Sequence, residues 1–164
     1  MNPANGGWLI LLSLLVAMVL GVLHLPETWP AWLGWWRPTW VAMVVFYWVM
    51  AVPHRLGLVT AWLLGFFVDA LNAEPLGLNG FLLAAITYIT WRFYERLRMY
   101  SVFQQCGMVF LLVLGCELLR NFLADLTYGS GMSWGVFGPA LTSMLLWPFL
   151  FLLLDRLRAS VRVE

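Results

Sequence analysis

The sequence predicts an all-α integral membrane protein, a single bundle of six transmembrane helices. Three observations lead there. Of 164 residues, 63% are hydrophobic and 10% charged, with a mean hydropathy of +0.86. An ordinary soluble domain carries about 25% charged residues. In water this much apolar surface would form aggregating patches, whereas in lipid it is already in its preferred solvent. Second, apolar runs alternate with short polar breaks along the whole chain. Third, the arginines are distributed unevenly between those breaks.

The first span covers residues 8–25. No basic residue precedes it, and a cleavable signal would have a basic start, a shorter core and a small-residue cleavage site. The run therefore reads as a retained membrane helix. A loop rich in Pro and Trp follows, over 26–37. The second span is 38–52, opening on Pro38, where a missing N–H costs little. Pro53, His54 and Arg55 break it, and the third span is 56–71. Residues 72–77 hold Glu74, Pro75 and Gly77, a turn signature. The fourth span is 78–91, followed by a charged segment over 92–101. The fifth is 102–126, closed by Tyr128, Gly129, Ser130 and Gly131. The sixth is 134–154, with a tail over 155–164. The whole chain, 1–164, forms one transmembrane domain.

Spans two to four are shorter than the ~20 residues a straight crossing needs. Their flanks must contribute, or the bilayer must thin. Merging spans two and three into a re-entrant hairpin would give five crossings, but the charges oppose it. All nine basic residues are Arg. With six crossings Arg55, Arg92, Arg96, Arg98, Arg156, Arg158 and Arg162 share one side. Arg37 alone lies opposite, and Arg120 lies within span five. That bias places the arginine-rich side, and both termini, in the cytoplasm. Trp8, Trp40, Trp91 and Trp134 fall near span ends, as in an aromatic belt.

Composition also restricts function. A net charge of +1 gives no case for nucleic acid. Cys106 and Cys116 lie on one helix, pointing about 80° apart, and read as buried, inert thiols. His24 and His54 fall on opposite sides of the membrane and cannot share a metal. No HExxH, CxxC, GxSxG or P-loop pattern occurs. Asp69 and Asp125 lack a Gly-x-Gly-Asp setting. No catalytic residue, metal ligand or cofactor is expected.

Charges within lipid cost about 2.5–3.5 kcal/mol each on insertion scales, so each needs a reason. Glu117, Arg120 and Asn121 share one helix face. They read as an ion pair supported by an amide, or as part of a proton or ion relay. Relays need further acids along a path, and no other mid-span carboxylate is present. Gly57, Ala61, Gly65 and Asp69 recur every fourth residue, a small-residue stripe that lets a neighbouring helix approach. Asp69 ends that seam, bonded to nearby backbone or to a polar loop group. Arg37 either snorkels to the interface or forms a buried ion pair with Asp69, Glu74 or Asp125.

Several segments resemble the rod shape-determining protein MreD family. They are Arg37-Pro38-Thr39-Trp40, Tyr47-Trp48, Pro53-His54-Arg55-Leu56-Gly57, Gly65-Phe66-Phe67-Val68-Asp69, Pro75-Leu76-Gly77 and Trp147-Pro148. Each is weak alone; their order and spacing carry the match along essentially the whole chain. The resemblance implies a non-enzymatic scaffold of the bacterial cell-elongation (Rod) complex in the inner membrane. It implies association with MreC, and links to MreB filaments, RodA and the elongation transpeptidase. It also implies a fold similar to the substrate-binding subunits of energy-coupling-factor transporters. The alternative from the residues is a small-solute binding subunit of a transporter. Two surfaces suit partners or membrane lipids: the arginine-bearing inner side, and an outer rim of Trp29, Trp32, Trp35 and Trp36.

Topology is directly testable. A reporter fused after Glu164 should be active only in its cytoplasm-dependent form; activity confined to the periplasm would remove the six-span reading.

Overall fold

The computed structural model describes residues 7–23, 36–72, 74–129, 131 and 134–161, and excludes the side chains of residues 128 and 161. Among them are six α-helices. They are α1 (Gly7–Val22), α2 (Trp40–Ala51), α3 (Leu58–Asn72), α4 (Leu78–Met99), α5 (Val102–Tyr128) and α6 (Phe137–Val161). A single 3₁₀ turn, Trp134–Val136, leads into α6. Two stretches are long and apolar enough to cross a bilayer, Val102–Thr127 and Trp134–Ser160. The helices are separated at polar breaks in the sequence because lipid allows no unpaired backbone and water tolerates it.

Hydropathy locates where an apolar run stops, not where a helix stops. α4 continues through the charged segment to Met99, and α6 continues to Val161. Arg96 and Arg98 occupy the last turn of α4, and Arg158 the last turn of α6. Positive charge there complements the carbonyl end of the helix dipole. Leu97, 1% exposed, fastens the extension of α4 to the core. Ser101 then opens α5 with a capping box, accepting from Gln104 N–H while the Gln104 side chain accepts from Ser101 N–H. Gln105, also buried, donates through Nε2 to the carbonyls of Leu97 (3.2 Å) and Tyr100 (3.4 Å). The carbonyl end of α4 is thereby satisfied beside the start of α5.

α2 is the centre of the bundle. Only 12 residues long, about 18 Å, it is apolar all round, the pattern of a fully surrounded helix. Met43 to Met50 are all buried. α1, α4, α5 and α6 pack around it, while α3 lies chiefly on α4 and α5 chiefly on α6. Aromatic rings fill the α2–α6 interface. Phe46 meets Trp147 edge-on at 5.0 Å, and Tyr47 meets Phe151 at 5.8 Å.

Because lipid is as apolar as the side chains, burial alone does not drive helices together there; packing and hydrogen bonds do. The indole N–H of Trp48 donates to Ser13 Oγ on α1 at 2.8 Å. That of Trp147 donates to Gln105 Oε1 on α5 at 3.3 Å. Ser143 of α6 accepts from the backbone N–H of Thr39 at 3.1 Å and bonds its hydroxyl at 3.2 Å. Thr39 is the N-cap of α2 but makes no side-chain cap of its own. One orphan donor at the start of the central helix is thus satisfied by a neighbouring helix.

The small-residue stripe of α3 meets α4 at Gly65, and Ala61 on the same stripe is buried. A Cβ on Gly65 would overlap the backbone of Gly80 and Asn79. Gly80 is less severely confined, its Cβ position lying 3.1 Å from the Trp62 carbonyl. Gly57 does not belong to this seam: it precedes α3, is exposed, and has open space around its Cβ position. A period of four continued past the helix end loses its geometric meaning.

Gly65→Ala should therefore lower the unfolding midpoint of the detergent-purified protein, by about 1–3 kcal/mol or more of overpacking. Gly57→Ala should leave it unchanged. Equal midpoints for both variants would refute the backbone contact.

Candidate functional site

Polar side chains gather at the end of the bundle where α3 turns into α4. α4 begins after Gly77, in the left-handed region at φ 99°, which glycine adopts without the steric cost of a Cβ. A glycine N-cap has no side chain to accept from the first-turn N–H groups. Asp69, on the preceding helix, does this instead. Its Oδ2 accepts from Gly77 N–H at 2.7 Å, and its Oδ1 from Asn79 N–H at 2.9 Å. The carboxylate is fully buried. It lies against the positive end of the α4 dipole, which favours the anion.

Asn79 extends this contact into a network. Its Nδ2 donates to Asp69 Oδ1 at 2.8 Å and to Glu74 Oε2 at 2.6 Å. Its Oδ1 accepts from Arg120 NH2 at 2.6 Å. Arg120 NH1 closes the ring on Glu74 Oε1 at 3.0 Å. Both amide hydrogens and the amide oxygen of Asn79 are in use, which fixes its orientation. Four residues from α3, the connecting turn, α4 and α5 form one charge-assisted system. Arg120 Nε remains buried without a partner.

Three expectations are corrected here. Arg120 forms its ion pair with Glu74 across the bundle, and none with Glu117. Asn121 does not support a pair: its Nδ2 donates to the Glu117 backbone carbonyl at 3.1 Å. Arg37 forms no ion pair with Asp69, Glu74 or Asp125. Its NH2 donates to the carbonyls of Gly21 and Leu23, each at 2.8 Å. Those carbonyls lie at the end of α1, where a helix presents unsatisfied acceptors and partial negative charge. Asp125, exposed in the last turn of α5, accepts from Gly131 N–H at 2.7 Å.

A cavity of about 350 Å³ lies beside the network. Arg37, Glu74, Asn79, Glu117 and Arg120 all contribute to its wall, as does Cys116. Cys116 is thus half-buried on a cavity, whereas Cys106 is buried in the core; both are free thiols. Among the described residues, no group of three His, Cys, Asp or Glu is placed to hold a metal ion. Of the tryptophans expected on the outer rim, Trp36 is exposed. Trp29, Trp32 and Trp35 lie outside the described residues, as do His24 and Arg162.

Asn79 is the hub that sequence reading missed. An isolated Asn at the start of a span has no periodic partner, and its bonds to Arg120 reach 41 positions along the chain. The signal available was the glycine N-cap: a helix start without its own acceptor must borrow one.

A family model described as rod shape-determining protein MreD matches residues 3–157. The rod shape-determining protein MreD of Haemophilus influenzae is 31% identical over 157 residues, covering 96% of this chain and 95% of that one. No solved structure matches.

Asp69→Asn replaces one acceptor oxygen by an amide that meets other donors. It should destabilise the protein by roughly 1–3 kcal/mol for each buried donor left unpaired. Thermal unfolding in detergent measures this. A double-mutant cycle of Glu74→Gln with Arg120→Gln should give a coupling above the ~1 kcal/mol upper range of exposed pairs.

Proposed function

The chain belongs to the MreD family of rod shape-determining membrane proteins, which are not enzymes, and from that premise we propose that it is a scaffold of the bacterial cell-elongation complex. The observation that carries the reading is the family match along nearly the whole chain. In the proposed arrangement all six helices cross the inner membrane and both termini are cytoplasmic. MreC is the direct partner. MreB filaments, RodA and the elongation transpeptidase are coupled through the same assembly.

The internal chemistry supports a scaffold. Asp69, Asn79, Glu74 and Arg120 bond one another, and Arg37 bonds the end of α1. These polar groups hold helices in place rather than face a reacting centre. A scaffold that presents helix faces and loop rims to partners needs this rigidity. On the inner side Arg92, Arg96, Arg98 and Arg156 are exposed at the ends of α4 and α6. They offer a positive rim to anionic lipid or to acidic partner segments.

A second reading, a small-solute binding subunit with the fold of the energy-coupling-factor substrate-binding subunits, draws support from the cavity beside α5. Small-molecule sites are concave, with a few convergent polar groups. Saturable retention of a vitamin-like solute by the purified protein would favour this reading.

The affinity-tagged chain, extracted from membranes in mild detergent, should retain MreC. A clean preparation without MreC, from cells that contain it, would overturn the scaffold reading.

A further inference from the structure

The cavity presents charges whose partners are unevenly assigned. Arg120 gives NH1 to Glu74 and NH2 to Asn79, and its Nε is buried without a partner. Arg37 is turned toward the carbonyl end of α1. Glu74 accepts from both Asn79 and Arg120. Glu117 alone among the charged wall residues is left over. No described residue donates a hydrogen bond to its carboxylate, although the side chain is half-buried and its residue lines the cavity. It lies one turn inward of Arg120 along α5. An acceptor-only group so placed calls for a donor, preferably a cation.

The rest of the wall restricts which cation. A divalent metal takes several oxygen ligands, and no three-residue metal-ligating group is present among the described residues. Leu83, Ile86 and Val113 also line the cavity and are buried, so part of the wall is apolar. The volume, about 350 Å³, is in the lower range of small-molecule sites. An anionic ligand would meet the Glu117 carboxylate, while both guanidinium groups on the wall already donate to protein oxygens.

We propose that this cavity is a binding site for a primary ammonium group, held by the Glu117 carboxylate, with the remainder of a small ligand against Leu83, Ile86 and Val113. The proposal goes beyond the scaffold role and does not depend on it. An ethanolamine phospholipid headgroup and a soluble amine share this chemistry.

Cys116 is a built-in reporter, because it lines the same cavity one residue from Glu117. The full chain carrying Cys106→Ser is purified into nanodiscs of phosphatidylglycerol, leaving Cys116 as its thiol. Its modification rate is compared for aminoethyl and sulfonatoethyl methanethiosulfonate. The cationic reagent should react faster by on the order of tenfold, as expected for one charge a few Å away in a partly screened interior. Glu117→Gln should bring the ratio close to one without moving the unfolding midpoint, and Glu117→Asp should restore it. Phosphatidylethanolamine in the nanodisc, or ethanolamine in solution, should then slow modification in the wild-type background but not in Glu117→Gln. Protection by the lipid alone assigns the site to a headgroup; protection by ethanolamine assigns it to a soluble amine. Equal rates for the two reagents, a ratio indifferent to Glu117→Gln, or no protection by either amine would overturn the proposal. The measurement contains no MreC, so its failure is separate from failure of the scaffold reading.

Discussion

The junction of α3 with α4 depends on the carboxylate of Asp69. That carboxylate is buried without a direct cation, a position that would cost several kcal/mol if its oxygens were unbonded. Three N–H groups, from Gly77 and Asn79, offset that cost. In return the acid satisfies the start of α4, which has only a glycine at its N-cap. The arrangement works only if α3 and α4 lie almost in backbone contact, and the Gly65–Gly80 approach supplies that. The two features require each other. A side chain at Gly65 would lift Asp69 away from the N–H groups it accepts from, and without those bonds the glycine seam would have little to hold it closed.

From this junction the polar network reaches outward through Asn79 to Glu74 and Arg120, linking the α3–α4 pair to α5. The opposite side of the bundle is joined differently. There the packing is aromatic and aliphatic: Trp48 pins α2 to α1, the Thr39–Ser143 bonds pin the start of α2 to α6, and Trp147 pins α6 to α5. In a medium where apolar burial gives helices little reason to associate, such sparse polar bonds select which faces meet. α2 can then be short because it is enclosed. Its neighbours, rather than its own length, separate it from lipid.

Much of this was readable from residues alone, and what was not has a common cause. The six helices and their order follow from apolar runs and polar breaks, since lipid enforces that pattern directly. Asp69 and Arg120 stood out because charge is expensive in such segments. Their partners did not. Spacing of three along a helix places Glu117 near Arg120, yet a guanidinium on a long flexible stem reaches equally well across to another helix. Glu74 won because Asn79 orients it and shares the same cation. Arg37 likewise faced a choice between a carboxylate and bare carbonyls, and the end of α1 lay within its reach. The helix ends beyond Trp91 and Leu154 were hidden for a different reason: a helix leaving lipid keeps its internal bonds, and arginines in its last turn stabilise it further.

The distribution of satisfied and unsatisfied groups separates the architectural residues from those left available. Asp69, Asn79, Glu74 and Arg120 bond to one another, and removing any of them breaks a contact between helices. Glu117 differs in kind. Its backbone carbonyl is engaged by Asn121, but its carboxylate accepts no hydrogen bond from a described residue. A carboxylate without a hydrogen-bonded partner among the described residues still carries the insertion cost of its charge. Its position on a cavity wall, between an arginine committed elsewhere and an apolar lining, gives the charge a use that packing does not.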